Sequence, residues 1–229
     1  MTLQFKILSE MNRRIVLLAA ALLFSLTCIA GNTRKSRVSP FQYGNRWYIS
    51  LQAGPMVTFG DNTSSFSSEG HGWDQFTWQT AAAIGYNFTD ALDVRLSANY
   101  GRNVGALPPF GGYYPYHYNA FGLFADAALN FNALGELNVP LAPKLYAGLG
   151  LAYADGYESP EHPFQITEGP NLVPGIRFGC ILEYDYPGGF GWFFDCAAEG
   201  YTDWYDGLEP DGLPIDINVK LSFGLVLHL

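Results

Sequence analysis

The chain has 229 residues, of which 48% are hydrophobic, 16% are aromatic and only 14% are charged. This composition is too apolar for a disordered chain, and its charged fraction lies well below the roughly 25% of an average soluble domain. The net charge of −9 argues against nucleic acid as a partner, because such a surface cannot neutralise a row of phosphates.

The first thirty residues have the pattern of a secretory signal peptide. Arg13 and Arg14 precede an apolar run of about a dozen residues that starts at Ile15. Cys28 and Ala30 fit the −3 and −1 positions of a cleavage site, so we expect cleavage after Ala30. A lipoprotein signal acylated at the same cysteine is the alternative. A transmembrane helix would need about 20 apolar residues, more than this run supplies.

Eight later segments alternate apolar and polar side chains with period two, which is the pattern of strands with two different faces. The predicted strands cover residues 47–59, 76–88, 92–100, 121–131, 144–153, 176–186, 190–199 and 215–229. Pro55 interrupts the first of them. A proline inside a strand removes a ladder hydrogen bond, so we expect a β-bulge at this position.

The connections between these segments alternate in length. The long ones cover residues 60–75, 101–117, 154–172 and 201–214, and the shorter ones cover residues 87–90, 132–143 and 186–190. The short turns therefore lie at the same end as both termini. In an outer-membrane barrel this end faces the periplasm.

The distribution of charge and size predicts which face points inward. The apolar face of the segments carries no charged residue, whereas the polar face carries all of the strand charges and many small residues, such as Gly85, Gly179 and Gly224. The interior of an eight-stranded barrel is barely wide enough for side chains, so small residues belong inside. We therefore predict an all-β fold, an eight-stranded antiparallel up-and-down transmembrane β-barrel. A soluble lipocalin-like carrier with an apolar interior is the alternative.

In this architecture the chain resembles the small eight-stranded outer-membrane barrels of the OmpA/OmpX type, over about residues 46–229 and without a diagnostic motif. The resemblance implies a location in the outer membrane of a Gram-negative envelope, with outer-membrane lipid, lipopolysaccharide and the barrel-insertion machinery as partners. That machinery usually reads an aromatic C-terminal residue, where this chain has Leu229. The expected organisation is a signal peptide at 1–30, a short basic periplasmic lead at 31–45 and the barrel at 46–229.

Charged groups in a narrow lumen have to be paired, because an isolated buried ion is costly. The sequence therefore predicts an ion-pair network inside the barrel. Its predicted members are Asp93, Arg95, Asp126, Lys144, Arg177, Glu183, Asp195, Glu199 and Lys220. The expected function is a structural or surface-interaction role with a filled lumen. A narrow solute pore through the same network is an alternative.

Two cysteines are predicted to be neighbours. If the turn at 187–189 sets Tyr186 opposite Phe190, then Cys180 faces Cys196 on the lipid side of the barrel. An oxidising periplasm favours a disulfide there. Two small apolar side chains without a bridge are the other interpretation.

The sequence offers little catalytic chemistry. His71, His117 and His162 lie in predicted outer loops near acidic residues, so an enzyme acting on lipid A is the alternative from a different class. No Gly-x-Ser-x-Gly motif or metal-ligand spacing appears, and we predict no enzymatic activity, no catalytic residue, no metal and no cofactor. His228 is expected to face the lumen and to form hydrogen bonds there.

The long loops carry aromatic residues that are candidates for contacts with glycans, lipopolysaccharide or a partner protein, although the sequence identifies no surface ligand. Aromatic residues at strand ends also form the interfacial girdle of a membrane barrel, so only the aromatic residues near the loop tips are evidence for such contacts. The candidates are Phe110, Tyr113, Tyr114, Tyr116 and Trp204.

Overall fold

The computed structural model describes residues 46–59, 76–107, 114–135, 139–158, 171–186, 188–202, 205 and 215–229. The predicted signal peptide and periplasmic lead lie outside these residues. The eight strands are β1 (Arg46–Phe59), β2 (Phe76–Asn87), β3 (Leu92–Leu107), β4 (Tyr114–Asn130), β5 (Leu141–Glu158), β6 (Asn171–Asp185), β7 (Phe190–Thr202) and β8 (Ile215–His228). A short helix, α1 (Phe131–Leu134), follows β4.

Each strand pairs with the next along the chain in antiparallel orientation, and β1 pairs with β8 to close the barrel. The closing ladder runs from Tyr48 opposite His228 to Phe59 opposite Ile217. The predicted fold, an eight-stranded up-and-down barrel, is confirmed. We call the end where β1 starts and β8 finishes the terminal end, and the opposite one the loop end.

Five strands, β3 to β7, extend further towards the loop end than the sequence predicts, with β6 starting at Asn171 and β7 ending at Thr202. β3 continues to Leu107 and β4 starts at Tyr114, so most of the predicted loop at 101–117 is a paired hairpin. β5 likewise continues to Glu158. Backbone hydrogen bonds do not require alternating side chains, so the ladder persists where the two-faced pattern stops. The prediction that Tyr114 and Tyr116 are loop residues is therefore wrong, since both lie in β4.

The bulge expected at Pro55 is also wrong. Ala53 pairs with Phe223 and Met56 pairs with Lys220, so the register with β8 is the same on both sides of the proline. Gly54 explains how the strand stays in register, because a β-carbon there would overlap the carbonyl oxygen of Leu221. The absence of a side chain allows the two backbones to approach each other closely.

The shorter connections are fastened by local hydrogen bonds. The Asn130 side chain caps α1 by accepting from the Asn132 backbone nitrogen at 3.0 Å. In the β6–β7 turn, the Tyr186 nitrogen donates to the Phe190 carbonyl at 2.8 Å. Gly189 has a φ of +88° there, a conformation that glycine adopts without strain. No helix among the described residues is long and apolar enough to cross a membrane.

The outward face of the barrel is a band of apolar side chains. Trp78 and Leu149, for example, are each 70% exposed. Aromatic rings mark both edges of the band, with the Trp47–Tyr86 ring pair at the terminal end. Phe88, directly after β2, and Trp78 lie ten residues apart along the chain. This spacing is about 33 Å of extended chain, or about 25 Å of height at a tilt of about 40°.

Candidate functional site: the charged lumen

The polar faces of all eight strands point into the barrel. Each of the nine residues of the predicted network is buried, with at most 7% of its surface exposed. The structure brings them into two groups, one in the middle of the lumen and one near the terminal end. The other inward-facing acidic residues, Asp185 and Asp216, are 3% and 1% exposed.

The middle group is centred on Asp126 of β4, which lies between two arginines. Arg95 Nε donates to Asp126 Oδ2 at 2.7 Å, and Arg177 Nε donates to Oδ1 at 3.0 Å. A second guanidinium nitrogen of Arg177 also contacts Oδ2 and the Ser97 hydroxyl. A carboxylate can accept several hydrogen bonds, so one acidic group satisfies both cations.

Glu199 of β7 extends this group towards the loop end. Lys220 Nζ lies 2.5 Å from Glu199 Oε2, and Arg177 Nη1 lies 3.5 Å from Oε1. Asn99 donates to Oε1 at 3.0 Å, and the Tyr201 hydroxyl donates to Oε2. The side chain of Glu199 is completely buried, and these four partners compensate its lost hydration.

Asp195 and two aromatic rings enclose the arginines. The Tyr146 hydroxyl donates to Asp195 Oδ1 at 2.9 Å, and the guanidinium of Arg95 stacks 4.2 Å from the centre of the Tyr146 ring. Arg177 lies 4.5 Å from the centre of the Phe124 ring. Such cation–π contacts stabilise guanidinium groups that have lost water.

The second group lies near the terminal end. Lys144 Nζ is 3.0 Å from Glu183 and 3.7 Å from Asp93. The Tyr48 hydroxyl donates to Asp93 Oδ1 at 2.9 Å. His228 Nε2 lies 3.4 Å from Glu183 Oε1, so this histidine faces the lumen beside the acidic residues.

Inward-facing glycines fit against inward-facing aromatic rings on neighbouring strands. Tyr48 pairs with Gly85, Tyr146 with Gly179 and Phe193 with Gly224. A β-carbon at any of these three glycines would overlap the ring of its partner. The glycines therefore leave space for large rings in a lumen too narrow for two large side chains in a pair.

Tyr205 closes the described lumen at the loop end. No sequence pattern indicates this role, because the residue follows β7 in a predicted loop. Its hydroxyl accepts from Asn103 at 2.8 Å and from Asn218 at 2.9 Å, and its ring stacks on Tyr201 with centroids 4.0 Å apart. Burial raises the pKa of the Tyr205 phenol above its ordinary value, so the hydroxyl stays protonated.

Little empty space remains between these groups. Two cavities in the described lumen, one lined by Tyr48 and Lys144 and the other by Asn99 and Tyr205, each measure about 10 Å³. This is at the lower limit for one water molecule. Neither cavity is large enough to hold a solute.

The remaining predicted site residues lie elsewhere. Cys180 pairs directly with Cys196 across β6 and β7, and both side chains are exposed on the outward face, with no bond between them in this structure. Their disulfide stays a prediction. Of the loop candidates, Phe110, Tyr113 and Trp204 lie outside the described residues.

A closed eight-stranded barrel with an apolar exterior and a charged, filled lumen is the architecture of the small outer-membrane barrels, and solved structures of this class match the chain. Neisserial surface protein A (NspA) matches with a TM-score of 0.50 at 14% identity, over 79% of this chain and 96% of that one. The outer membrane protein OprG from Pseudomonas aeruginosa matches with a TM-score of 0.53 at 8% identity, over 84% of this chain and 99% of that one.

The comparisons by sequence find no relatives. No protein-family model matches the chain, and no curated protein matches it either. At identities of 14% and 8%, the structural matches establish a shared fold.

Proposed function

We propose that this protein is an integral outer-membrane β-barrel with a structural or surface-interaction role. The apolar outer band carries the proposal, because a barrel surrounded by water would expose charged side chains where this one exposes residues such as Trp78 and Leu149. Its estimated height of about 25 Å equals that of the apolar band in barrels of this kind. The interior is charged, which disfavours the lipocalin-like alternative with an apolar cavity.

The proposed route to the membrane starts with export. The pattern at residues 1–30 supports a cleaved signal peptide, and folding would then require the barrel-insertion machinery. Separation of cell envelopes by density tests the location. We expect the protein to be in the outer-membrane fraction and to be released from the membrane only when detergent is added. Recovery from the soluble periplasm would refute the proposal.

We further propose that the ion-pair network is a structural plug and not a solute path. This is supported by the direct contacts of Arg177 with Asp126 and Glu199 and by the small size of the two cavities described in the lumen. Purified protein in planar lipid bilayers should show no discrete conductance steps. Steps that change with an Arg177→Ala substitution would instead support the narrow pore.

We propose no catalytic role for the lumen, because the ionisable groups at its middle, such as Arg177, Asp126 and Glu199, are engaged with one another. The loop aromatics remain our candidates for contact with lipopolysaccharide or a surface partner. The enzyme alternative has a direct test, the mass of lipid A from cells that express the protein. We expect the mass to be the same as in cells without it, and a loss or gain of an acyl chain would show an enzyme.

A further inference from the structure

Three ionisable groups from two non-neighbouring strands converge at the terminal end of the lumen. They are Glu183 and Asp185 of β6 and His228 of β8. One ligand atom from each, a carboxylate oxygen or a ring nitrogen, lies within 4.8 Å of the other two. All three side chains are buried. This combination of one imidazole and two carboxylates is a set of metal ligands.

The spacing of these atoms resembles metal coordination more than hydrogen bonding. His228 Nε2 lies 3.4 Å from Glu183 Oε1 and 3.6 Å from Asp185 Oδ1. A good hydrogen bond between such groups measures about 2.7–2.9 Å. Ligands bound at about 2.0–2.1 Å in a tetrahedral site are separated by about 3.3–3.4 Å, which is close to the observed distances.

An orphaned acceptor gives independent support. Asp185 Oδ1 is buried, in a side chain that is 3% exposed, and it accepts no hydrogen bond from any described residue. A buried carboxylate oxygen that accepts no hydrogen bond is costly. A cation held between this oxygen and the neighbouring histidine would compensate that cost.

The local charge points the same way. The described lumen contains seven acidic side chains and only four arginines and lysines, and at the terminal end Lys144 alone faces three acidic residues. The acidic residues of the lumen are Asp93, Asp126, Glu183, Asp185, Asp195, Glu199 and Asp216. A divalent cation near Glu183 and Asp185 would neutralise the excess negative charge there. The Lys144 ammonium, 3.0 Å from both oxygens of Glu183, would limit the affinity.

We propose that Glu183, Asp185 and His228 form a binding site for a divalent transition metal of the Zn²⁺ class. Zn²⁺ accepts nitrogen and oxygen ligands, whereas Mg²⁺ and Ca²⁺ prefer oxygen ligands alone. Three protein ligands leave a fourth position for water at the end of the barrel. Asn87, whose side-chain amide lies 3.5 Å from His228 Nδ1, is placed to orient the imidazole ring. The bound ion would link β8 to β6 across the intervening strand β7.

Cobalt titration tests the site directly, because Co²⁺ takes the place of Zn²⁺ and gives visible absorption that depends on its ligands. The untagged full chain, extracted in detergent, is titrated with Co²⁺ at neutral pH and then with Zn²⁺ or Mg²⁺. We expect one Co²⁺ per chain, displaced by Zn²⁺ but not by Mg²⁺. The variants are His228→Gln and Asp185→Asn, with His117→Gln as the control because His117 lies in β4, towards the loop end.

The expected result is at least a tenfold loss of Co²⁺ affinity in each ligand variant and unchanged affinity in the control. Each variant is first shown to be folded by its faster migration on a gel without boiling, and if His228→Gln does not fold, Asp185→Asn decides. No Co²⁺ absorption at millimolar concentration would overturn the proposal, as would undiminished binding in either folded ligand variant. The outcome is separate from the proposed membrane location, since a soluble barrel with this site would bind Co²⁺ equally well.

Discussion

Arg177 provides the sharpest test of the lumen network. Its guanidinium contacts Asp126 and Glu199, and the residue is only 3% exposed. Replacement by alanine leaves both carboxylates buried with one cation fewer. Removal of one partner from a buried ion pair costs about 3–5 kcal/mol.

The contacts that remain set the expected size of the effect. Asp126 keeps Arg95 at 2.7 Å, and Glu199 keeps Lys220 at 2.5 Å. We therefore expect Arg177→Ala to lower the free energy of unfolding by about 3 kcal/mol, at the lower end of that range. Arg177→Lys keeps the charge but loses the forked contact with Asp126, so its effect should lie between those of the wild type and the alanine variant.

Urea unfolding in detergent micelles, followed by tryptophan fluorescence, measures this change. Arg46→Ala is the matched control, because Arg46 is exposed at the start of β1 and its substitution should change the free energy by no more than about 0.5 kcal/mol. If Arg177→Ala destabilised the barrel no more than Arg46→Ala does, the network would not hold the lumen together and our reasoning would fail.

Three further substitutions or treatments test other parts of the account. Gly179→Val should destabilise the barrel by about 3 kcal/mol or prevent refolding, because the new side chain overlaps the ring of Tyr146. The control Gly200→Ala should refold normally, because its β-carbon meets only the Ile176 side chain, at 3.5 Å. Tyr205→Phe removes an acceptor shared by two buried amides and should cost about 1–3 kcal/mol in the same urea titration, so an unchanged midpoint would contradict the closure of the loop end. Protein prepared from the envelope without reductant should resist alkylation at Cys180 and Cys196, and a mass showing two alkylated thiols would rule out the disulfide.

Period-two alternation predicts much of this fold because strands between two different environments have to alternate. The same pattern separates an uncharged face from a charged one, and the structure places residues such as Arg95 and Asp126 inside. The pairing of Cys180 with Cys196 follows from the turn alone, since an antiparallel hairpin fixes its register once the turn is known. These features depend on neighbours along one strand or across one short turn.

Features that depend on distant contacts are not readable from the sequence in the same way. β3 reaches Leu107 because its backbone pairs with β4, whatever its side chains are. Tyr205 enters the lumen from beyond β7, and nothing in its local sequence marks it. Asp185 and His228 lie on the two strands that flank β7, and they meet because both side chains face the lumen, across a glycine, Gly191, of the intervening strand. The sequence predicted a lumen position for this histidine but no metal site.

The most direct test of the membrane-barrel account is heat-modifiability of the detergent-extracted outer-membrane fraction on a gel. A folded barrel resists the detergent until it is boiled and then unfolds, so we predict that the unboiled sample migrates faster than the boiled one. A single band of unchanged mobility, found in the soluble periplasm, would contradict the account.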